Sequence, residues 1–241
     1  MPDYFCTLVE APMGGGKTNT VTGLIVDDLF AGITAIKAPD LVDDKGNILS
    51  TGQTFPCAPY TMNMDGMIVR LQCEDERLVA IPDDFSIVTP VKIFANYHLY
   101  GIPYVYASFK EVLSFINTDM MLNSKWVIDE GWLGAEARRG GSALSVLITE
   151  YAQLMRKLGV DLYWITQHAR FLDWRIRYIA KRKILTKYDK NTFMTRLLIQ
   201  DLTKGTEKVI HYYAPIYWRY YDTNEVPPMP QAMIQKAKVG A

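Results

Sequence analysis

The chain has 241 residues, of which 49% are apolar and 22% charged, with 26 Lys and Arg against 26 Asp and Glu. These proportions are typical of globular proteins and exclude a disordered, collagen-like or fibrous chain. Charged and turn-forming residues interrupt every apolar stretch well before about 18 positions, so the sequence predicts no membrane span and no secretory signal. Cys6, Cys57 and Cys73 lack CxxC or metal-ligand spacing, which predicts reduced thiols in a cytosolic compartment.

Charge is distributed unevenly along the chain. Residues 1–130 contain 8 Lys and Arg against 17 Asp and Glu, whereas residues 131–241 contain 18 against 9, so the two parts carry −9 and +9. A basic second half suits a surface that binds a polyanion. The alternative interpretation is a solvated face that binds nothing.

The first predicted elements surround a glycine-rich segment. Tyr4–Glu10 is a β-branched and aromatic run that predicts a buried strand, and the Pro and Gly residues after it predict a loop. Apolar residues then recur at helical spacing from Thr18 to Phe30, and Gly32 is placed to end that helix. Residues 38–85 are rich in proline and acidic side chains, which predicts an irregular insertion with a small β excursion.

After the insertion, predicted strands and amphipathic helices alternate, at residues 91–96, 108–117, 125–129, 142–158 and 160–166. This alternation implies βαβ units and therefore an α/β fold with a mostly parallel central sheet flanked by helices. Beyond Lys181 the pattern predicts three more strands with a hairpin turn at Lys204–Gly205. Residues 226–241 predict an extended, proline-rich tail. From the chain length we expect one domain over residues 1–241.

The segment from Ala11 to Thr18 fits the Walker A pattern, with Ala11 in the position of the first glycine. Glycines let backbone N–H groups wrap closely around phosphates, a lysine reaches the β and γ oxygens, and the following hydroxyl coordinates Mg²⁺. The alternative is an ordinary glycine-rich turn between a strand and a helix. The predicted strand before the segment and the predicted helix after it favour the Walker A interpretation, because that motif requires both. The predicted nucleotide-binding residues are Pro12, Met13, Gly14, Gly15, Gly16, Lys17, Thr18 and Asn19.

Trp126 to Glu130 form an apolar run that ends in two carboxylates, as a Walker B segment does. Asp129 is predicted to hold Mg²⁺ together with Thr18, and Glu130 to act as the general base on the attacking water. We expect the Walker A and Walker B segments on adjacent strands. Thr166 and Gln167 end a further predicted strand, where they can reach the γ-phosphate or the water.

The three motifs GGGKT, VIDEG and YAQLMRKLGVDLYWITQH resemble the FtsK/HerA superfamily of P-loop ATPases. Within it, the spacing is similar to genome-packaging ATPases of membrane-containing icosahedral viruses and to the zonula occludens toxin (Zot) domain of filamentous-phage assembly proteins. The resemblance covers residues 4–35 and 88–180 and implies an ASCE (RecA-like) P-loop fold, ATP and Mg²⁺ as ligands, and a sensor role for Gln167. The chain departs from the pattern at Ala11, and its sequence predicts none of the membrane spans usual in Zot proteins.

The resemblance also implies a homo-oligomeric ring, commonly a hexamer, in which an arginine completes the site of the neighbouring subunit. Arg156 is the first candidate for this arginine, and Arg138 or Arg139 the second. The alternative role for each is a helix-end or surface arginine.

Basic and aromatic residues are interleaved between His168 and Lys190, a pattern that suits tracking of DNA phosphates. The predicted DNA-binding residues are Arg175, Arg177, Lys181, Arg182 and Lys183. The alternative is that these residues are the solvated side of a helix whose aromatic side chains enter the core.

These features predict an ATP-driven motor that packages double-stranded viral DNA, located in the host cytoplasm or associated with the virion, with a capsid vertex or a membrane protein as partner. One alternative is a Zot-like assembly ATPase that exports single-stranded DNA. Another is a P-loop scaffold that binds nucleotide without hydrolysing it, against which the carboxylate of Glu130 argues.

Overall fold

The computed structural model describes residues 6–60, 70–73, 78–79, 86–108, 111, 114–115, 118–129, 154–155 and 157–222. The chain forms two compact units, one of Met1–Gly23 with Lys92–Ala241 and the other of Leu24–Val91. The strands in chain order are β1 (Cys6–Glu10), β2 (Ala35–Lys37), β3 (Leu41–Val42), β4 (Ile48–Ser50), β5 (Thr54–Tyr60), β6 (Arg70–Cys73), β7 (Leu78–Val79), β8 (Ser86–Val88), β9 (Lys92–Ala95), β10 (Val105–Tyr106), β11 (Ser124–Ile128), β12 (Asp161–Thr166), β13 (Arg182–Asp189), β14 (Met194–Asp201) and β15 (Thr206–Tyr213).

The helices described in full are α1 (Lys17–Ala31) and α2 (Trp174–Ile179), with 3₁₀ segments at Asp119–Met121, Ala169–Phe171 and Ala214–Tyr220. Helix α1 follows the glycine-rich loop as predicted, and its buried positions Val21, Ile25 and Leu29 recur at helical spacing. The predicted helices at 108–117 and 142–158 fall mostly outside the described residues, and the tail at 226–241 lies wholly outside them.

The first unit is built on an eight-stranded sheet in the order β10-β9-β11-β12-β1-β13-β14-β15. Neighbouring strands from β10 to β13 are parallel, and β14 and β15 extend the sheet as antiparallel strands. The predicted α/β fold with a mostly parallel sheet is therefore confirmed. The hairpin turn predicted at Lys204–Gly205 is confirmed as well, because Gly205 has a φ of +66° in the turn between β14 and β15.

The expectation that the Walker A and Walker B segments lie on adjacent strands is wrong. Strand β12 lies between β1 and β11, with Glu10 paired to Thr166 and Ile128 paired to Trp164. Because all three strands are parallel, their carboxyl ends still meet at one edge of the sheet. Strand β12 suits the central position because Leu162 to Thr166 are all buried.

One cluster of core side chains in the first unit lies on one face of this sheet, while Val9, Val127 and Ile165 are buried on the other. The cluster combines Leu8, Trp126 and Trp164 from the parallel strands with side chains from α2 and the residues that flank it, namely Leu172, Ile176 and Ala180. Helix α2 therefore packs on this face, and we call it the α2 face. Beyond β1 the sheet continues through β13, β14 and β15. We call these three strands the antiparallel extension, because β14 pairs antiparallel with both β13 and β15.

The second unit contains an antiparallel sheet in the order β7-β6-β5-β2-β8 and a separate hairpin, β3–β4. The Asp43 carboxylate shapes the hairpin turn by accepting hydrogen bonds from the backbone N–H groups of Lys45 and Asn47. The insertion predicted at 38–85 falls within this unit. Within the described residues, no helix is long and apolar enough to cross a membrane.

Candidate nucleotide-binding site

The loop between β1 and α1 has the backbone that the Walker A pattern requires. Gly14 and Gly16 have φ values of +72° and +82°, a region that residues with a Cβ rarely adopt. Gly15 donates its N–H to the carbonyl of Pro12, and a Cβ on Gly15 would lie 2.6 Å from that of Ala11. All three glycines are therefore needed for this loop, which places its backbone at the N-terminus of α1, where an anion is favoured.

The Lys17 ammonium group folds back over this loop. It is 7% exposed and donates to the Pro12 carbonyl at 3.2 Å. The ammonium group therefore lies at the loop where the β- and γ-phosphates are predicted to bind. A phosphate there could accept a hydrogen bond from it in place of the Pro12 carbonyl. Met13 lies at the loop tip and is 83% exposed.

Thr18 and Asp129 meet although 111 positions separate them. The Thr18 hydroxyl donates to the Asp129 carboxylate at 2.7 Å, and Asp129 is 9% exposed at the end of β11. The sequence predicted these two residues as Mg²⁺ ligands, and the structure places their oxygens side by side. Their roles as ligands remain a prediction.

The donor set fits Mg²⁺. A hydroxyl and a carboxylate are hard oxygen ligands, and Mg²⁺ commonly takes one or two protein oxygens, with water and substrate phosphates completing its octahedron. Thr18 and Asp129 would hold the ion, which would neutralise charge on the phosphates when bound.

The Asn96 side chain fixes the backbone of Asp129. Its amide oxygen accepts from the Asp129 N–H at 2.7 Å, and its amide nitrogen donates to the Asp129 carbonyl at 2.9 Å. Asn96 follows β9, which pairs with β11, so the two strand ends are side by side. Sequence reasoning missed this residue because a single Asn after a short strand has no distinguishing pattern.

Thr166 ends β12 and Gln167 follows it, between the other two strand ends; the sensor role of Gln167 stays a prediction. Thr166 is fully buried, and its carbonyl accepts from the Ala11 N–H at 3.4 Å, which ties β12 to the start of the glycine-rich loop. Gln167 is half-buried immediately after it. The structure thus brings Gln167 to the same sheet edge as Lys17 and Asp129.

A cavity of about 420 Å³ opens beside the glycine-rich loop. Gly16, Lys17, Thr18 and Asp129 form one side of it. The other side comes largely from the antiparallel extension and the residues after it, including Tyr188, Lys190, Thr195, Ala214, Trp218 and Tyr221. Sequence reasoning missed this second side, because these residues follow the loop by about 170 to 200 positions and carry no motif.

Asn19 connects α1 to the C-terminal part of the site. It donates to the Ala214 carbonyl at 3.2 Å and accepts from the Tyr212 hydroxyl at 2.7 Å. Burial raises the pKa of Tyr221 to about 12, although a hydrogen bond with Asn19 acts in the opposite direction. Asn19, predicted to bind nucleotide, lines the cavity and also anchors its C-terminal side.

Thr195 carries an unusual hydroxyl within this cavity. The residue is fully buried, and its Oγ1 has no hydrogen-bond partner among the described residues. Oγ1 would lie 3.5 Å from a Cβ placed on Gly16, so it faces the glycine-rich loop. A buried hydroxyl without a partner is destabilising by about 1–3 kcal/mol, and a ligand in the loop is one way to satisfy it.

The five predicted DNA-binding residues have different environments. Arg182 donates to Thr7 and Tyr163 and lies over the Tyr163 ring, while Lys183 forms a 2.9 Å ion pair with Glu10. Arg175 lies 3.3 Å from the Asp173 carboxylate. Lys181 is half-buried and Arg177 is exposed. Arg182 and Lys183 are therefore engaged inside the protein.

Several predicted catalytic residues lie outside the described residues. They are Glu130, the predicted general base, and the three candidates for the arginine that acts on a neighbouring subunit, Arg156, Arg138 and Arg139. Their roles remain predictions.

Comparison with solved structures supports the fold. The chain is similar to the N-terminal domain of zonular occludens toxin from Neisseria meningitidis, with a TM-score of 0.51 and 16% identity over 90% of this chain and 97% of that one. The genome packaging NTPase B204 from Sulfolobus turreted icosahedral virus 2, in complex with sulfate, gives a TM-score of 0.48 and 11% identity over 87% of this chain and 96% of that one. No protein-family profile and no curated protein matches the sequence.

The Zot-domain likeness agrees with the resemblance drawn from the motifs. The chain has the α/β fold of a P-loop nucleoside triphosphatase. At this level of identity, the likeness concerns the fold alone.

Proposed function

We propose that this chain is a Mg²⁺-dependent ATPase that moves DNA during virus assembly, as the motor that packages a double-stranded genome. The observation that carries the ATPase part is the 2.7 Å contact between Thr18 and Asp129 beside the glycine-rich loop. It joins a Walker A hydroxyl to a Walker B carboxylate, the pair that holds the metal in P-loop enzymes.

In this mechanism the loop N–H groups and Lys17 bind the β- and γ-phosphates, and Asn96 orients Asp129. Glu130 takes the proton from the attacking water, and Gln167 detects the γ-phosphate. Arg156 of a neighbouring subunit in a ring stabilises charge on the transferred phosphoryl group. We place the protein in the host cytoplasm or on the virion, with a capsid vertex or membrane protein as partner.

The DNA part of the proposal is supported by the basic second half of the chain and by the motif resemblance to packaging ATPases. Phosphate contacts carry no base information, so the motor should act on any sequence. The matching experiment is ATP hydrolysis with and without DNA. Duplex DNA should stimulate hydrolysis in a way that depends on Mg²⁺ and not on base sequence, and no stimulation by any DNA would contradict the proposal.

A second candidate function is export of single-stranded DNA in the manner of a Zot-like assembly ATPase. The observation that favours it is a group of exposed aromatic side chains around α2, with Trp174 62% and Tyr178 83% exposed. The Arg170 guanidinium lies over the Phe171 ring and that of Arg175 over the Trp174 ring. Aromatic rings with nearby arginines are the groups on which proteins stack the bases of single-stranded nucleic acid.

Strand preference separates these two functions. Stronger stimulation of ATP hydrolysis by single-stranded DNA, lost in Trp174→Ala, supports export, whereas stronger stimulation by duplex DNA supports packaging.

A third candidate is a scaffold that binds ATP without hydrolysing it. It predicts that the wild type releases no phosphate.

A further inference from the structure

Two cationic side chains and a histidine form a row across the antiparallel extension. Lys187 on β13 pairs with Arg196 on β14, which in turn pairs with His211 on β15. All three side chains are exposed. Residues directly opposite in neighbouring strands project from the same face, and strands lie about 4.8 Å apart, so the row spans about 10 Å. We call these three residues the cationic row.

The row lies on the α2 face of the sheet. Lys183 pairs with Leu8 of the core and is four positions before Lys187, so the two-residue period of a strand puts Leu8, Lys183 and Lys187 on one face. The core and α2 cover this face at the parallel strands, whereas the extension leaves the cationic row exposed.

This arrangement is unfavourable without an anionic partner. Like charges directly opposite in antiparallel strands repel each other. None of the three side chains forms an ion pair with a residue that the structure describes. The nearby Asp189 carboxylate accepts hydrogen bonds from the Asn191 N–H and the Thr192 hydroxyl within its own turn, and these bonds, with a smaller contribution from the Lys187 charge, lower its pKa.

The row borders an open groove of about 500 Å³, which Asp189, Lys190 and Thr192 also line. Lys190 adds a third cationic group at the end of the groove next to the nucleotide cavity. Hydroxyl and ammonium groups along a groove are donors that fit successive phosphates of a polyanion.

The opposite face of the same two strands contacts the nucleotide site. Tyr188 and Thr195 follow and precede the row residues, so they project to the other side and line the nucleotide cavity. The Thr186 hydroxyl donates to the Gly15 carbonyl at 2.6 Å. One strand pair thus has a cationic outer face and an inner face that touches the glycine-rich loop.

We propose that the cationic row binds the phosphate backbone of DNA and that the β13–β14 pair connects this contact to the glycine-rich loop. The proposal rests on the proposed function, because it names where the DNA of that motor binds. It relocates the contact from Arg182 and Lys183, which have internal partners, to Lys187, Arg196 and His211.

The test compares DNA binding by the wild type and by the double variant Lys187→Gln/Arg196→Gln, using fluorescence anisotropy at salt concentrations from about 50 to 200 mM. The control variant is Lys208→Gln, since Lys208 is exposed on the opposite face of β15. The log–log salt slope for duplex DNA should flatten by about 2 in the double variant and stay unchanged in the control. DNA-stimulated hydrolysis should fall with it.

The outcomes distinguish this inference from the proposed function. A wild type that binds no DNA overturns both. A wild type that binds DNA, with a double variant of the same slope and the same stimulation, overturns the cationic row alone. A raised KM for ATP in the double variant without DNA also overturns it, because the residues would then serve the nucleotide.

Discussion

Removing the side-chain amide of Asn96 should weaken Mg²⁺ binding as well as the fold. Asn96 makes two hydrogen bonds to the backbone of Asp129, at 2.7 and 2.9 Å. Each is worth about 1 kcal/mol net, so Asn96→Ala should lower the free energy of unfolding by about 2 kcal/mol. Residues that orient a metal ligand typically change metal affinity by about 10-fold to 100-fold when removed.

The assay is ATP hydrolysis at saturating ATP as Mg²⁺ is titrated, together with urea denaturation. We expect the Mg²⁺ concentration for half-maximal rate to rise at least about ten-fold in Asn96→Ala. The matched control is Ser124→Ala, which removes a buried 2.8 Å hydrogen bond to the Met121 carbonyl at the opposite end of β11 from Asp129. It should lose about 1 kcal/mol of stability and keep the wild-type Mg²⁺ dependence. A wild-type Mg²⁺ dependence in Asn96→Ala would refute the positioning role.

Three further predictions concern the cavity. Thr195→Val removes a buried hydroxyl without a described partner, so the nucleotide-free protein should gain about 1 kcal/mol in urea denaturation; a loss would contradict this. Gly16→Ala forces a Cβ into a φ of +82° at about 1–2 kcal/mol, so fluorescent ATP analogues should bind at least several-fold more weakly, and unchanged affinity would disprove the strain. Since burial raises the pKa of Tyr221 from 10.0 to about 12, the unfolded state loses this proton first; the unfolding free energy should fall by about 2 kcal/mol from pH 10 to pH 12, and Tyr221→Phe should lack that component.

Local sequence was sufficient for the parts of the site that a motif defines. Lys17 and Thr18 are fixed by the loop that the glycines permit, and Asp129 by a buried strand that ends at a sheet edge. Their meeting follows from parallel strands sharing that edge, even though β12 lies between β1 and β11. The fold class was predictable for the same reason, because alternating strand and helix patterns imply parallel pairing.

The remaining side of the site depends on long-range packing that no local pattern records. Tyr188, Thr195 and Trp218 reach the cavity only because β13 pairs with β1 and carries the antiparallel extension with it. The ion pair between Lys183 and Glu10 also depends on the pairing of β13 with β1. The sequence shows the basic run that contains Lys183, but it does not show that Glu10 lies beside it.

The central claim is that this glycine-rich loop and the Thr18–Asp129 pair form a Mg²⁺-dependent ATPase site. The most direct measurement is phosphate release from ATP by the wild type and by Lys17→Ala, each with and without Mg²⁺. The account predicts Mg²⁺-dependent release by the wild type and a rate at least about 100-fold lower in Lys17→Ala, because the Lys17 ammonium group stabilises the charge on the transferred phosphoryl. Phosphate release by Lys17→Ala at the wild-type rate would contradict it.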